Sequence, residues 1–199
     1  MEFEILRQQF IATGIIEWLA FGLGIAQVVL AWQNQRANFY VGLLSVSLYT
    51  YVFAYSGLYA ESALNAYYAI ISVWGILQWQ QKKNESPKPI TYCSKIEIRQ
   101  SLLGGTLAII ILYGILHQFT NSNVPFLDAL VSGLAWVGAY LLVQRKIENW
   151  LWLTASNLLA IPLQLYKGMP LTATLTIIYL VLGLLGYHRW KHESQRQTN

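Results

Sequence analysis

Seven nearly uncharged runs, at 14–32, 39–55, 62–79, 101–118, 126–143, 150–166 and 171–188, leave this chain few folds to choose from. Each approaches or exceeds the length of about 17 residues that a helix needs to cross a hydrocarbon core of about 30 Å. Lipid offers no partner to a backbone N–H or C=O, so apolar runs of this length must close their hydrogen bonds internally, as helices. The ten-residue alternation of a membrane barrel is absent. Charged residues are 11% of the chain and apolar ones 55%, whereas about 25% charge is usual in a soluble domain. The expected fold class is all-α: a polytopic membrane protein with seven transmembrane helices.

The formal charge of +4 is spread over short connections between the runs, so we expect no nucleic-acid partner. It is better read as topology, because positive charge in short loops stays on the cytoplasmic side. Arg36, Lys82, Lys83, Lys88, Lys95, Arg99, Arg145, Lys146, Arg189, Lys191 and Arg196 fall at one end of the alternating runs, and only Arg7 and Lys167 fall at the other. The expected orientation in a bacterial-type inner membrane is N-terminus outside and C-terminus cytoplasmic. The single Cys93 excludes an internal disulfide, and no metal or cofactor is expected. Ahead of the first run there is no basic n-region, and no A-x-A-like site closes it, so a cleaved signal peptide is not expected.

The chain also matches itself in one constant register, without gaps. Identical pairs include Gly22/Gly133, Gln33/Gln144, Asn38/Asn149, Ser45/Ser156, Tyr55/Tyr166, Gly57/Gly168, Tyr68/Tyr179, Gly75/Gly186 and Trp79/Trp190, with Glu17 opposite Asp128. Leucine matches would mean little in such a chain, but Trp, Tyr, Asn and Gln matches in one register imply duplication. Residues 17–79 and 128–190 then form two three-helix repeats. Residues 80–127 hold a cytoplasmic loop, a linker helix at about 101–118 and an outer loop; 1–16 precede the repeats and 191–199 form a cytoplasmic tail. One extra crossing between the copies makes them parallel, a plan that transporters use to hold solute near the midplane. A repeat that only packs a bundle is the plainer reading.

Polar residues within the runs mark where chemistry is expected, since they are costly against lipid. Trp150, Thr154, Asn157 and Gln164 follow at steps of four, three and seven and share one helical face. Pro162 in the same run leaves the Leu158 carbonyl without its amide donor. Asn65, Tyr68, Ser72, Gly75 and Trp79 form a second stripe, and Thr176, Tyr179, Gly183, Gly186 and Trp190 its counterpart. For Gly75, Gly183 and Gly186 close helix approach is the simpler role. Phe39, Leu43 and Val46 stand where the second copy has Trp150, Thr154 and Asn157. The copies are therefore alike in fold and unequal in polarity, as one asymmetric site would require.

Trp32, Trp79 and Trp190 sit at cytoplasmic ends of runs, where interfacial aromatic belts are expected. Trp74, Trp136, Tyr140, Trp150, Tyr49, Tyr67 and Tyr68 are better placed to line a cavity, and such faces attract a flat cation by roughly 0.5–2 kcal/mol per contact. Glu17 and Asp128 begin matching helices, where capping and dipole pairing are the simpler roles and proton coupling the alternative.

With these stripes in view the chain resembles the Pnu family of vitamin transporters, whose best-known members carry nicotinamide riboside. The resemblance rests on IEWLAFGLGIAQVVLAW at 16–32, GLYAESALNAYYAIISVWGILQW at 57–79 and QRKIENWLWLTASNLLAIPLQLYKGMPLTATLTIIYLVLGLLGYHRW at 144–190. The family motif W-x-x-W-x-x-x-N/D, associated with substrate choice, is met at its ends by Trp150 and Asn157; its second Trp is Leu153 here, with Trp152 one residue earlier. The resemblance implies a SWEET-like fold, two three-helix bundles around a linker helix. It also implies facilitated diffusion of an unphosphorylated vitamin, trapped afterwards by a cytoplasmic kinase.

The expected function is thus transport of nicotinamide riboside, with thiamine as the alternative and riboflavin behind it. Substrate-binding candidates are Asn157, Trp150, Asn65, Tyr68, Trp136, Thr154 and Gln164, with no catalytic, cofactor or metal residues. Expected partners are the small vitamin, the lipid bilayer and, functionally, the kinase; homo-oligomerisation is compatible with the pattern. An integral-membrane enzyme would need an intramembrane H-E-x-x-H, G-x-S-x-G or aspartate pair, and the runs contain none.

Overall fold

A computed structural model describes residues 14–55, 59–80, 88–120 and 122–198. The segment before residue 14, Gly57, Lys82, Lys83 and Asn121, and the side chains of Glu17 and Leu64, lie outside the described residues. The described chain holds seven helices: α1 (Ile15–Trp32), α2 (Ala37–Tyr55), α3 (Tyr59–Gln78), α4 (Lys95–Phe119), α5 (Pro125–Val143), α6 (Asn149–Tyr166) and α7 (Pro170–Thr198). Of these α4, α5 and most of α7 are each long and apolar enough to cross a membrane on their own. Leu107, Ile110, Ile70, Leu77 and Leu184 are exposed on helix exteriors, an apolar surface that suits lipid and not water.

Two helices are longer than hydropathy implies. At α4 the start is set by a reciprocal cap: Ser94 Oγ accepts from the Glu97 amide at 3.3 Å, and Glu97 Oε2 accepts from the Ser94 amide at 2.7 Å. That motif lies in a polar stretch that a search for apolar runs passes over. At the other end of the chain, α7 continues to Thr198 through residues expected as a tail. The α6 helix runs unbroken through Pro162, with Pro162 and Leu158 both on its exposed side.

Neighbouring helices pack in chain order, α1 on α2 and α2 on α3, then α4 on α5, α5 on α6 and α6 on α7. The two triplets meet along two seams, α1 with α7 and α3 with α5. Within the triplets the same bonds recur at matching positions of the repeat. Asn34 and Arg145 both turn the chain at φ 57°; Asn38 Nδ2 donates to the Gln35 carbonyl and Asn149 Nδ2 to the Lys146 carbonyl, each at 2.6 Å. Ser45 Oγ donates to the Ala20 carbonyl at 2.9 Å and Ser156 Oγ to the Val131 carbonyl at 2.7 Å. A left-handed φ is tolerated by Asn but unusual for Arg, and Arg145 is held in it by donating Nη1 to the Lys88 carbonyl at 2.6 Å and by stacking 4.0 Å from the Trp79 ring centre.

The main core lies at the end of the bundle where the two turns sit. Phe39, Trp79, Ile90, Ile147, Trp150 and Trp190 are buried there together. This corrects the interfacial-belt reading of Trp79 and Trp190, which are only 5% and 0% exposed. Their indoles are turned inward because each has a carbonyl to reach: Trp79 Nε1 donates to Val143 at 2.9 Å and Trp190 Nε1 to Ala31 at 3.1 Å.

Candidate functional site

Glycine lets α6 and α7 approach closely, and that contact aims the polar stripe of α6. A methyl at Gly186 would stand 2.5 Å from the Trp150 ring, and one at Gly183 would stand 2.9 Å from Thr154 Oγ1. Further along, Thr176 donates its hydroxyl to Gln164 Oε1 at 2.8 Å. Trp150, Thr154 and Gln164 therefore all face α7, and the register puts Asn157 at the height of residues 179–183 on that helix. Thr154 rests on glycine and Gln164 has its acceptor filled, whereas the partly buried Asn157 makes no hydrogen bond to another described residue. A free amide at this depth is costly unless water or solute reaches it.

Trp150 belongs to the sealed end of the stripe. It is 1% exposed, edge-on to Trp190 at 5.6 Å, and its Nε1 has no acceptor. A separate group lies along the α3/α5 seam, where aromatics stack across the two triplets. Tyr67 lies 4.1 Å from Trp136 at 22° and donates its hydroxyl to the Trp136 carbonyl at 3.2 Å; Trp74 stacks on Tyr140 at 5.5 Å. Tyr68 sits edge-on to Tyr67 at 5.5 Å, and Asn65 is partly buried one turn away.

A cavity of about 480 Å³ opens beside this seam, between α4 and α5, lined by Tyr67, Trp136 and Tyr140 at its aromatic wall and by Gly104 and Gly105 on α4. Its polar mouth includes Gln100, Ser101 and the Lys146–Glu97 ion pair at 2.8 Å. Trp136 Nε1 is buried there without an acceptor. A second cavity, about 300 Å³ and apolar, is bounded by Pro162, Leu159 and Tyr166 of α6 and by α5. The candidates thus gather in two places: Asn65, Tyr68 and Trp136 around the aromatic seam, and Trp150, Thr154, Asn157 and Gln164 along the α6/α7 contact.

Asp128, in the first turn of α5, is paired with Lys167 at 2.6 Å and accepts from Ser122 Oγ at 2.5 Å. Its carboxylate stands in the first turn, where the helix dipole favours it, but it accepts from no backbone amide there, so the capping expected of it is not made. His188 and His192 are four residues apart on α7, but among the described residues no group of three or more His, Cys, Asp or Glu could hold a metal ion. Sequence reasoning missed Arg145, Ile90 and the acceptors of Trp79 and Trp190. The only hint available was the exact repetition of Trp79 at Trp190.

Residues 14–192 match the family described as "Nicotinamide mononucleotide transporter". Curated relatives include the "Nicotinamide riboside transporter PnuC" of Escherichia coli (strain K12), 20% identical over 200 residues covering 87% of this chain and 84% of that protein. The protein of the same name from Neisseria mucosa is 29% identical over 190 residues, covering 88% of this chain and 71% of its own length. Among solved structures, one titled "Crystal structure of the Vitamin B3 transporter PnuC" superposes with a TM-score of 0.74 at 24% identity, covering 98% of this chain and 90% of that one.

Proposed function

The chain belongs to the nicotinamide mononucleotide transporter family, and from that premise we propose that this multi-pass membrane transporter carries nicotinamide riboside by facilitated diffusion across a bacterial inner membrane. Phosphorylation by a cytoplasmic kinase then traps the vitamin. The curated relatives are named for the riboside and the family for the mononucleotide. One observation favours the riboside: the seven apolar runs contain no Lys or Arg. A phosphate carries about −1.5 to −2 charge near neutral pH, and a desolvated phosphate without a cationic partner is strongly disfavoured. The riboside's pyridinium ring suits aromatic walls such as Trp136, Tyr67 and Tyr68.

The architecture we assign is 3+1+3: repeats at 17–79 and 128–190, related in parallel and SWEET-like, with α4 as linker. Turns and hydroxyl bonds recurring at matched positions of the two copies support it, as does the pairing of seams α1/α7 and α3/α5. Solute would lie between the triplets, with Asn157 and Asn65 bonding its polar groups, Thr154 and Gln164 extending the polar face, and Trp136 and Tyr68 enclosing the ring; Trp150, expected to do so as well, is sealed against Trp190 and can only back the polar face. Thiamine, another flat cation, is the alternative within the same reading.

Calorimetric titration of purified protein with nicotinamide riboside, its mononucleotide, thiamine and riboflavin tests the substrate. Saturable heat with the riboside is expected; equal or tighter binding of the mononucleotide would reverse the assignment. In proteoliposomes, uptake should proceed without Na⁺ or H⁺ gradients, and a strict need for either would exclude facilitated diffusion. For orientation, an impermeant maleimide should reach Cys93 in everted vesicles and not in intact cells; the opposite pattern would invert the topology.

A further inference from the structure

We propose that Trp79 and Trp190 form the inner gate of the transport path, each bonding across a different seam, and that residues 88–92 are the clasp that holds this gate shut. The inference rests on the two-triplet reading above. Trp79, at the end of α3, donates its indole N–H to Val143 at the end of α5; Trp190 on α7 donates to Ala31 at the end of α1. The rings lie 6.3 Å apart. These bonds bridge α3 to α5 and α7 to α1, the two contacts that must part if one triplet rocks against the other. Their acceptors are carbonyls in the last turn of a helix, which lack a full set of intrahelical partners. Opening to water satisfies both groups again, so the bonds favour the closed state without making opening prohibitive.

The clasp is built from three elements. Thr91 N–H donates to the Arg145 carbonyl at 3.1 Å, and Ile147 N–H donates to the Thr91 carbonyl at 3.0 Å, a short parallel bridge to the α5–α6 turn. Arg145 reaches the Lys88 carbonyl while lying over the Trp79 ring, and Gln197 Oε1 near the end of α7 accepts from the Ile90 N–H at 3.0 Å. Between these anchors Ile90, 1% exposed, is pressed into the cluster of Trp79, Trp190 and Phe39. The triplets cannot separate at this end while Ile90 occupies that cluster.

Cys93, just beyond the clasp, serves as a native reporter. Its amide is held by Glu148 Oε2 at 2.9 Å, and burial first, then the Glu148 carboxylate, pushes its thiol up to about 12. Thiolate is scarce until the clasp lifts, so alkylation follows opening. The test is the rate of Cys93 alkylation by N-ethylmaleimide in the purified full chain in lipid nanodiscs, read by intact mass with no solute present. A wrong substrate assignment therefore leaves the test standing. Trp79→Phe and Trp190→Phe keep a ring and remove the donor; each should raise the rate by about two- to twelve-fold, the span of one net hydrogen bond. Gln197→Ala, at an exposed position where folding is safe, should raise it in the same range. Ser156→Ala removes a hydroxyl bond inside one triplet and is the control for general loosening; its rate should stay within about twofold. Unchanged rates in the Trp and Gln197 variants, or an equal rise in Ser156→Ala, would overturn the gate. If the Trp variants do not fold, Gln197→Ala against Ser156→Ala decides the matter.

Discussion

The triplet α1–α3 and the triplet α5–α7 share their joinery and differ in their chemistry. Where residues are identical in the repeat register they do the same mechanical work: Asn38 and Asn149 close turns, Ser45 and Ser156 tie neighbouring helices, and Gly75 and Gly186 admit the rings of Phe39 and Trp150. Where they differ, polarity is on one side only, as in Leu43 against Thr154 and Val46 against Asn157. The seams are unequal too. Tyr67–Trp136 and Trp74–Tyr140 stack across α3/α5, while the matching positions of the other copy are Ile178, Ile25, Leu185 and Val29. The matched positions thus carry turns and close packing, while the unmatched ones carry the amide of α6 and the aromatic pairs of one seam.

The scaffold half of that comparison breaks first at the glycines. A methyl at Gly75 would run into the Phe39 ring, and one at Gly186 would come within 2.5 Å of Trp150; neither ring is the end of a flexible chain. Gly75→Leu and Gly186→Leu should each destabilise by about 3 kcal/mol, the upper end of ordinary overpacking, or prevent recovery of folded protein. Thermal unfolding in detergent measures this. Ready tolerance of one variant beside collapse of the other would mean that the triplets are packed differently despite their shared pattern.

The chemical half is tested at Asn157. Asn157→Leu should weaken nicotinamide riboside binding by roughly 5–150-fold, the effect of leaving a solute polar group unpaired at about 1–3 kcal/mol. Folding should suffer less, by about 0.6–2 kcal/mol at most. The mirror change Val46→Asn should alter affinity by less than about twofold. Asn157→Asp keeps an acceptor, loses the amide donor and, if ionised, favours a cation. Should well-folded Asn157→Leu bind like the unmodified protein, Asn157 is a packing amide and the site belongs on the Asn65 and Tyr68 face.

These contrasts also mark what could be read from the chain before its fold was known. Seven apolar runs foretold seven helices because lipid demands closed backbone bonds, and the positions came out within a few residues except where polar sequence stays helical, at the start of α4 and the end of α7. Asn157 was visible because an amide in an apolar run has few cheap explanations. Trp79 and Trp190 were misread because interfacial and buried indoles look the same in sequence; only the acceptors at Val143 and Ala31 distinguish them. Ile90 was invisible, a single apolar residue in a polar loop whose partners are distant in the chain.

A smaller effect sharpens the claim that identical pairs are equivalent. Ser45→Ala and Ser156→Ala each remove one hydroxyl donor from a helix carbonyl, and each should cost about 0.6–1 kcal/mol. The contacts lie in separate triplets, so the double variant should be additive within about 0.5 kcal/mol. A clear excess over the sum would show coupling between the triplets that their separate packing does not predict.

The smallest expected effect concerns an ion pair whose basic member has no counterpart in the repeat register. Asp128 pairs with Lys167 at 2.6 Å, but the residue that the repeat register sets opposite Lys167 is Ser56, which brings no cation. With side-chain exposures of 18% for Asp128 and 30% for Lys167, water screens the pair substantially. Pairs of this kind contribute about 0.2–1 kcal/mol. A double-mutant cycle of Asp128→Asn and Lys167→Gln should therefore give a coupling in that range, and it should fade in 1 M salt, where the screening length falls to about 3 Å. The pair joins the first turn of α5 to the α6–α7 turn within one triplet, so it fastens that triplet and should not govern the separation of the two. A coupling well above that range that survives high salt would contradict this. It would mean that the pair is desolvated in the folded state and acts as a closure at the end opposite Trp79 and Trp190.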